Sequence, residues 1–74
     1  MTPEEYLKLP YTFCLVWDEE SQTFTGTVKE FPGCVAQEDT PYRVFEDLWD
    51  AALDWIAAAI DQGQEIPEPE RKKP

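Results

Sequence analysis

A chain of 74 residues has room for one domain, and with 42% apolar and 14% aromatic residues it carries too much core material to stay unfolded despite a net charge of -10. Three of the six basic residues are Arg71, Lys72 and Lys73, so through Glu70 sixteen carboxylates stand against Lys8, Lys29 and Arg43 alone, a net charge of -13. Such a body repels phosphate backbones, which argues against direct nucleic-acid binding, and attracts basic proteins.

Residues 1–10 read as a polar N-terminal extension. From Tyr11 to Trp17, Tyr11, Phe13, Leu15 and Trp17 alternate with Thr12, Cys14 and Val16, the period-2 pattern of a strand that is apolar on both faces. A strand of this kind needs a helix on one side and a neighbouring subunit or partner on the other. Asp18 to Gln22 makes a hairpin loop, and Thr23 to Phe31 returns as a second strand containing Gly26, where another backbone or a bulky group can approach closely. Phe31-Pro32-Gly33 breaks the ladder, because Pro32 has no amide hydrogen and Gly33 accepts positive φ, and Cys34 to Gln37 gives a third strand.

Thr40-Pro41 starts a helix, with the threonine hydroxyl capping free amides and proline at the first helical position. Val44, Phe45, Leu48, Trp49, Ala52, Trp55, Ile56, Ala59 and Ile60 recur at three- and four-residue steps and predict a long amphipathic helix from Pro41 to Gln62. Gly63 supplies the left-handed cap, and Pro67 and Pro69 prevent the helix from resuming. Gln64 to Ile66 offers a short fourth edge strand, and 68–74 reads as a flexible tail whose Arg71-Lys72-Lys73 confers little specificity for DNA. The expected fold class is therefore α+β, a three-stranded antiparallel sheet packed on one long helix, with 11–67 as the domain.

The stretch Phe31-Pro32-Gly33-Cys34-Val35-Ala36-Gln37 after a hairpin, the Thr40-Pro41 helix start and the Gly63 to Ile66-Pro67 exit resemble the HicB-type antitoxin family over roughly Tyr11 to Pro69. The resemblance implies a partial ribonuclease-H-like fold, self-association as a homodimer or higher homo-oligomer, and neutralisation of a small basic ribonuclease toxin, HicA-like, as the partner. Typical members also carry a C-terminal DNA-binding domain, which this sequence, running to Lys73-Pro74, is expected to lack. An orphan relative acting as a homo-oligomeric scaffold is the alternative.

Asp47, Asp50, Asp54 and Asp61 fall at steps of three, four and seven, which sets them along one side of the helix as an acidic ridge. Together with Asp18 and Glu19 of the hairpin they are the candidate partner-binding residues, read either as a strip for Lys and Arg of a basic protein or as an ordinary solvated face. Trp49 lies nearer the centre of the apolar stripe, and Trp55, six positions on, is the candidate oligomer contact. Ribonuclease-H-like ancestry raises a further possibility, that Asp18, Glu30 and Asp47 or Asp50 converge on Mg²⁺ for phosphoryl chemistry. The expectation is nonetheless of no enzyme, no cofactor and no metal: no histidine is present to activate Cys14 or Cys34 or to complete a transition-metal site. The two cysteines lack CxxC spacing, residues 1–6 are polar, and Ala51 to Ile60 is too short to span a bilayer, so a cytoplasmic protein without membrane insertion is expected.

Overall fold

The computed structural model describes residues 1–69 as a short helix, a three-strand meander and one long helix: α1 (Pro3–Tyr6), β1 (Phe13–Asp18), β2 (Thr23–Val28), β3 (Val35–Glu38) and α2 (Pro41–Asp61). The sheet is antiparallel in the order β1-β2-β3, and α2 lies across one face of it, the α+β arrangement that the two hydrophobic periods require. Register runs from Phe13 opposite Val28 to Asp18 opposite Thr23, and from Phe24 opposite Glu38 to Thr27 opposite Val35.

Gly26 is the contact point of the two layers. A β-carbon there would come within 2.5 Å of Val44 Cγ1 and 3.1 Å of Leu48 Cδ2, so the absence of a side chain is what lets α2 settle onto β2. The same contact sorts the strands: Phe24 and Val28 share Gly26's face, with Phe13, Leu15 and Trp17 opposite them on β1, while Cys14, Val16, Thr25 and Thr27 point away from the helix. Val44, Leu48, Ala52, Ile56 and Ala59 form the buried stripe of α2. Phe31, 1% exposed, sits under the helix between two aromatic neighbours, stacked on Trp55 at 4.5 Å between centroids and tilted against Tyr11 at 4.6 Å.

The α2 ends are built as their residues predict. Thr40 accepts the Arg43 amide at 3.2 Å with Pro41 in the first turn. Gly63, at φ +69°, donates to Ile60 O while Gln64 donates to Ala59 O at 2.8 Å, the paired bonds of a Schellman cap. The β1–β2 hairpin closes on Asp18, whose carboxylate accepts the Glu20 amide at 3.1 Å, and on Gln22 in the left-handed region at φ 57°.

Three local expectations change. Residues 1–10 contain α1, closed by a capping box in which Thr2 and Glu5 exchange hydrogen bonds, and the following Leu7 is buried in the core. Gln64 to Ile66 is not a strand; the segment runs without regular structure, with Ile66 against the core, and is held where the Tyr11 hydroxyl donates to Pro67 O at 2.7 Å. Pro69 is buried, so the first residues of the expected tail belong to the body, and Arg71, Lys72 and Lys73 lie outside the described residues.

Candidate functional site

The outward side of α2 brings together two chemistries. Asp47, Asp50, Asp54 and Asp61 are all exposed, opposite the buried stripe, and at ~1.5 Å per residue they span about 21 Å of helix. Beside them, over the end of α2 nearest its start, Tyr42, Phe45 and Trp49 line a groove of about 540 Å³ together with Glu46 and Asp50. Phe45 and Trp49 rest on Phe13 of β1 at 5.5 and 5.9 Å between ring centroids, and on each other at 6.0 Å. The ring faces are thereby held in place by the sheet rather than free to collapse, while Tyr42 remains 73% and Phe45 45% exposed.

Aromatic faces beside carboxylates suit a cation. A guanidinium or ammonium over such rings is attracted by their quadrupole, and a carboxylate within hydrogen-bonding reach adds a charge-assisted bond. Sequence periodicity hides this arrangement because Phe45 and Trp49 keep the same three- and four-residue steps as the core. The available signal is Tyr42, Phe45 and Trp49 at i, i+3 and i+7, an aromatic arc displaced to one side of the Val44–Leu48–Ala52 stripe.

A second concentration of charge joins the sheet to the ridge. Glu38 of β3 faces Asp47, and the hydrogen bond that a protonated Glu38 makes with Asp47, reinforced by repulsion between the two groups when both are ionised, raises the Glu38 pKa above its ordinary 4.5, with Arg43 acting in the opposite direction. Arg43 itself stands 4.0 Å from Asp39 with both side chains about two-thirds exposed, so it offsets little of the local charge. The sign of the pH effect follows directly. Well below 4.5 Glu38 is protonated in both folded and unfolded chains; as pH rises toward and through its raised folded value, the fold must ionise Glu38 beside Asp47 and loses stability. Glu38→Gln is therefore expected to raise the melting temperature at neutral pH, with the gain vanishing in acid. Thermal melts followed by circular dichroism at the two pH values check this, and identical neutral-pH melts would contradict it.

The remaining sequence candidates fall elsewhere. Asp18 is half-buried and spends its carboxylate on its own hairpin turn, whereas Glu19 is exposed at the hairpin tip; both lie at the Glu38 end of the sheet, as the pairing of Trp17 with Phe24 and of Phe24 with Glu38 requires. Trp55 is partly buried, with its ring stacked on Phe31 and its indole N–H donated to Pro32 O at 3.0 Å. Larger aromatic exposure lies at Trp17 and Phe45, each 45%. Asp18, Glu30 and Asp47 do not gather. Glu30 accepts the Thr12 amide at the opposite end of β1 from Asp18, and among the described residues no three Cys, Asp or Glu side chains are grouped to hold a metal ion.

Cys14 is exposed and Cys34 buried, and burial pushes the Cys34 thiol above its usual pKa. No helix among the described residues is long and apolar enough to cross a membrane. No family model, curated protein or solved structure matches the chain.

Proposed function

We propose that this protein is a binding module that captures a small basic protein on the outward face of α2, in the manner of a HicB-like antitoxin covering the RNA-binding surface of a HicA-like toxin. The observation that carries the reading is the joint lining of one groove by Tyr42, Phe45 and Trp49 and by Glu46 and Asp50, next to the ridge of Asp47, Asp54 and Asp61. A protein that binds RNA presents Lys and Arg to phosphates, and an acidic, aromatic strip offers the same side chains both charge and stacking.

Electrostatics gives the proposal a sign. Sixteen carboxylates against three cations through Glu70 accelerate encounter with a basic partner at low ionic strength, and added salt slows it. The mutual repulsion of Glu38 and Asp47 acts in the same direction, since a cation placed between them relieves it.

The test is affinity capture of the tagged chain's partner from its native lysate at low and high salt, followed by ribonuclease assay of the captured protein. The expected result is a small basic ribonuclease that is inhibited by the chain and released by salt. Charge reversal at Glu46 and Asp50 should weaken the complex by about 2 kcal/mol or more, as loss of paired interfacial charges does. A captured protein without ribonuclease activity, or binding indifferent to both salt and charge reversal, would overturn the reading.

A further inference from the structure

The free edge of β1 is built differently from the rest of the surface. Lys29 N donates to Thr12 O at 3.0 Å, and Lys29 stands opposite Thr12 when the β1–β2 register is continued. Hydrogen-bonded pairs alternate along an antiparallel ladder, so Cys14, Val16 and Asp18 turn their backbone groups to β2, while the N–H and C=O of Phe13, Leu15 and Trp17 point out from the sheet. The strand is six residues long, contains neither proline nor lysine, and has a single charge, Asp18, at its end. Its side chains are open on both faces, with Leu15 at 37%, Val16 at 64% and Trp17 at 45% exposure. An edge of this kind is a template for another strand. The opposite edge is guarded: β3 has four residues and runs into Glu38 and Asp39.

We infer that β1 pairs antiparallel with β1 of a second copy of this chain, about a two-fold axis through Leu15, joining two three-stranded sheets into one of six strands. Charge selects this occupant. Two copies of so acidic a body repel over nearly all their surface, and β1 is the uncharged strip along which they can approach; a basic partner has no carboxylates to meet there except at Asp18. The side chains match under the same symmetry. With Leu15 opposite Leu15 of the copy, each Phe13 lies opposite a Trp17, which forms two aromatic cross-strand pairs on the helix side of the sheet. A chain of 8.6 kDa buries a small core, so covering these side chains stabilises each subunit as well as the pair.

The inference is independent of the basic-partner reading, and salt separates them. Screening tightens association between like-charged copies and loosens a complex with a basic protein. Register gives the sharper test. In the proposed pairing Cys14 faces Val16 of the copy as a non-hydrogen-bonded pair, at which Cα atoms stand about 4.5 Å apart, inside the range of about 4.4–6.8 Å that a disulfide spans. The two Cys14 residues are diagonal neighbours at about 7–8 Å and lie beyond it.

The experiment is sedimentation of the full chain at low and high salt, with mild oxidation of Val16→Cys followed by non-reducing mass analysis. We expect a species of twice the chain mass, favoured by concentration and by salt, and a covalent dimer of Val16→Cys that reductant dissolves. Leu15→Lys, with its circular dichroism unchanged, should sediment as a monomer. A monomer at every concentration and salt, a dimer that persists in Leu15→Lys, or a Val16→Cys variant that yields no intermolecular disulfide would each overturn the inference.

Discussion

Phe31→Ala is expected to lower the folding free energy by about 3–5 kcal/mol, the range for removing a fully buried aromatic ring. Phe31 is 1% exposed and fills the space between Trp55, stacked nearly parallel at 12°, and Tyr11. Its removal leaves a void under the middle of α2, and it strips Trp55 of the ring that holds the indole in place to reach Pro32 O. A 74-residue domain has roughly 4–11 kcal/mol to lose, so the substitution consumes a large share of it. Urea unfolding would show a lower midpoint at an unchanged slope, and Phe31→Leu, which keeps most of the volume, should recover much of the loss. A shift below about 1 kcal/mol would mean that the ring is not the keystone its burial implies.

Gly26→Ala should be destabilising by about 1–3 kcal/mol, the usual cost of forcing extra volume into a packed layer. The reason lies in the approach of α2: the new methyl meets Val44 Cγ1 and Leu48 Cδ2, both on side chains that are wholly buried and cannot swing clear. Replacing Val44 by alanine removes the closer obstacle. The double variant Gly26→Ala, Val44→Ala should therefore be more stable than the two single losses added together, by about 1 kcal/mol in a double-mutant cycle. Strict additivity would place the strain elsewhere. Because Phe45 and Trp49 flank Val44 and Leu48 on the same helix, lifting α2 also disturbs the aromatic groove, so stability and partner binding should fall together in Gly26→Ala and recover together in the double variant.

The meander and α2 were legible because each obeys a single period over enough residues: two from Phe13 to Trp17, and three to four from Val44 to Ile60. Gly26 also announced its role, a glycine in a strand marking close approach. α1 was not legible as a hydrophobic pattern, since four residues hold no full period; its signature is local, Thr2-Pro3 followed by Glu5 at the position that returns a bond to the cap. Of the candidate binding face, the ridge followed from spacing alone, but the groove did not. It arises from Phe13 of one element supporting Phe45 and Trp49 of another, and spacing within a helix carries no record of what lies beneath it. The order β1-β2-β3 is that of the expected meander, but which of its two outer strands presents the longer open edge is set by tertiary packing and by where the charges fall. Trp55 illustrates the converse, an exposed-looking position six residues beyond Trp49 whose polar tip finds a partner in the Pro32 carbonyl across the turn.

The bond from Tyr11 to Pro67 joins residues 56 apart in the chain, whereas the hairpins and the helix close over neighbours. Loop entropy grows with the length enclosed, so this tie is expected to form after the sheet and helix rather than to nucleate them. It is a part-buried latch on a segment with no ladder of its own, tied to the body otherwise by the Gln64 amide on Ala59 O and by Ile66 against the core, so residues 64–69 are expected to exchange their amides ahead of the sheet and α2. Local contacts thus make up the sheet and helix, while the C-terminal strap depends on one that reaches across nearly the whole chain, and the two are expected to come apart in the reverse order of that reach.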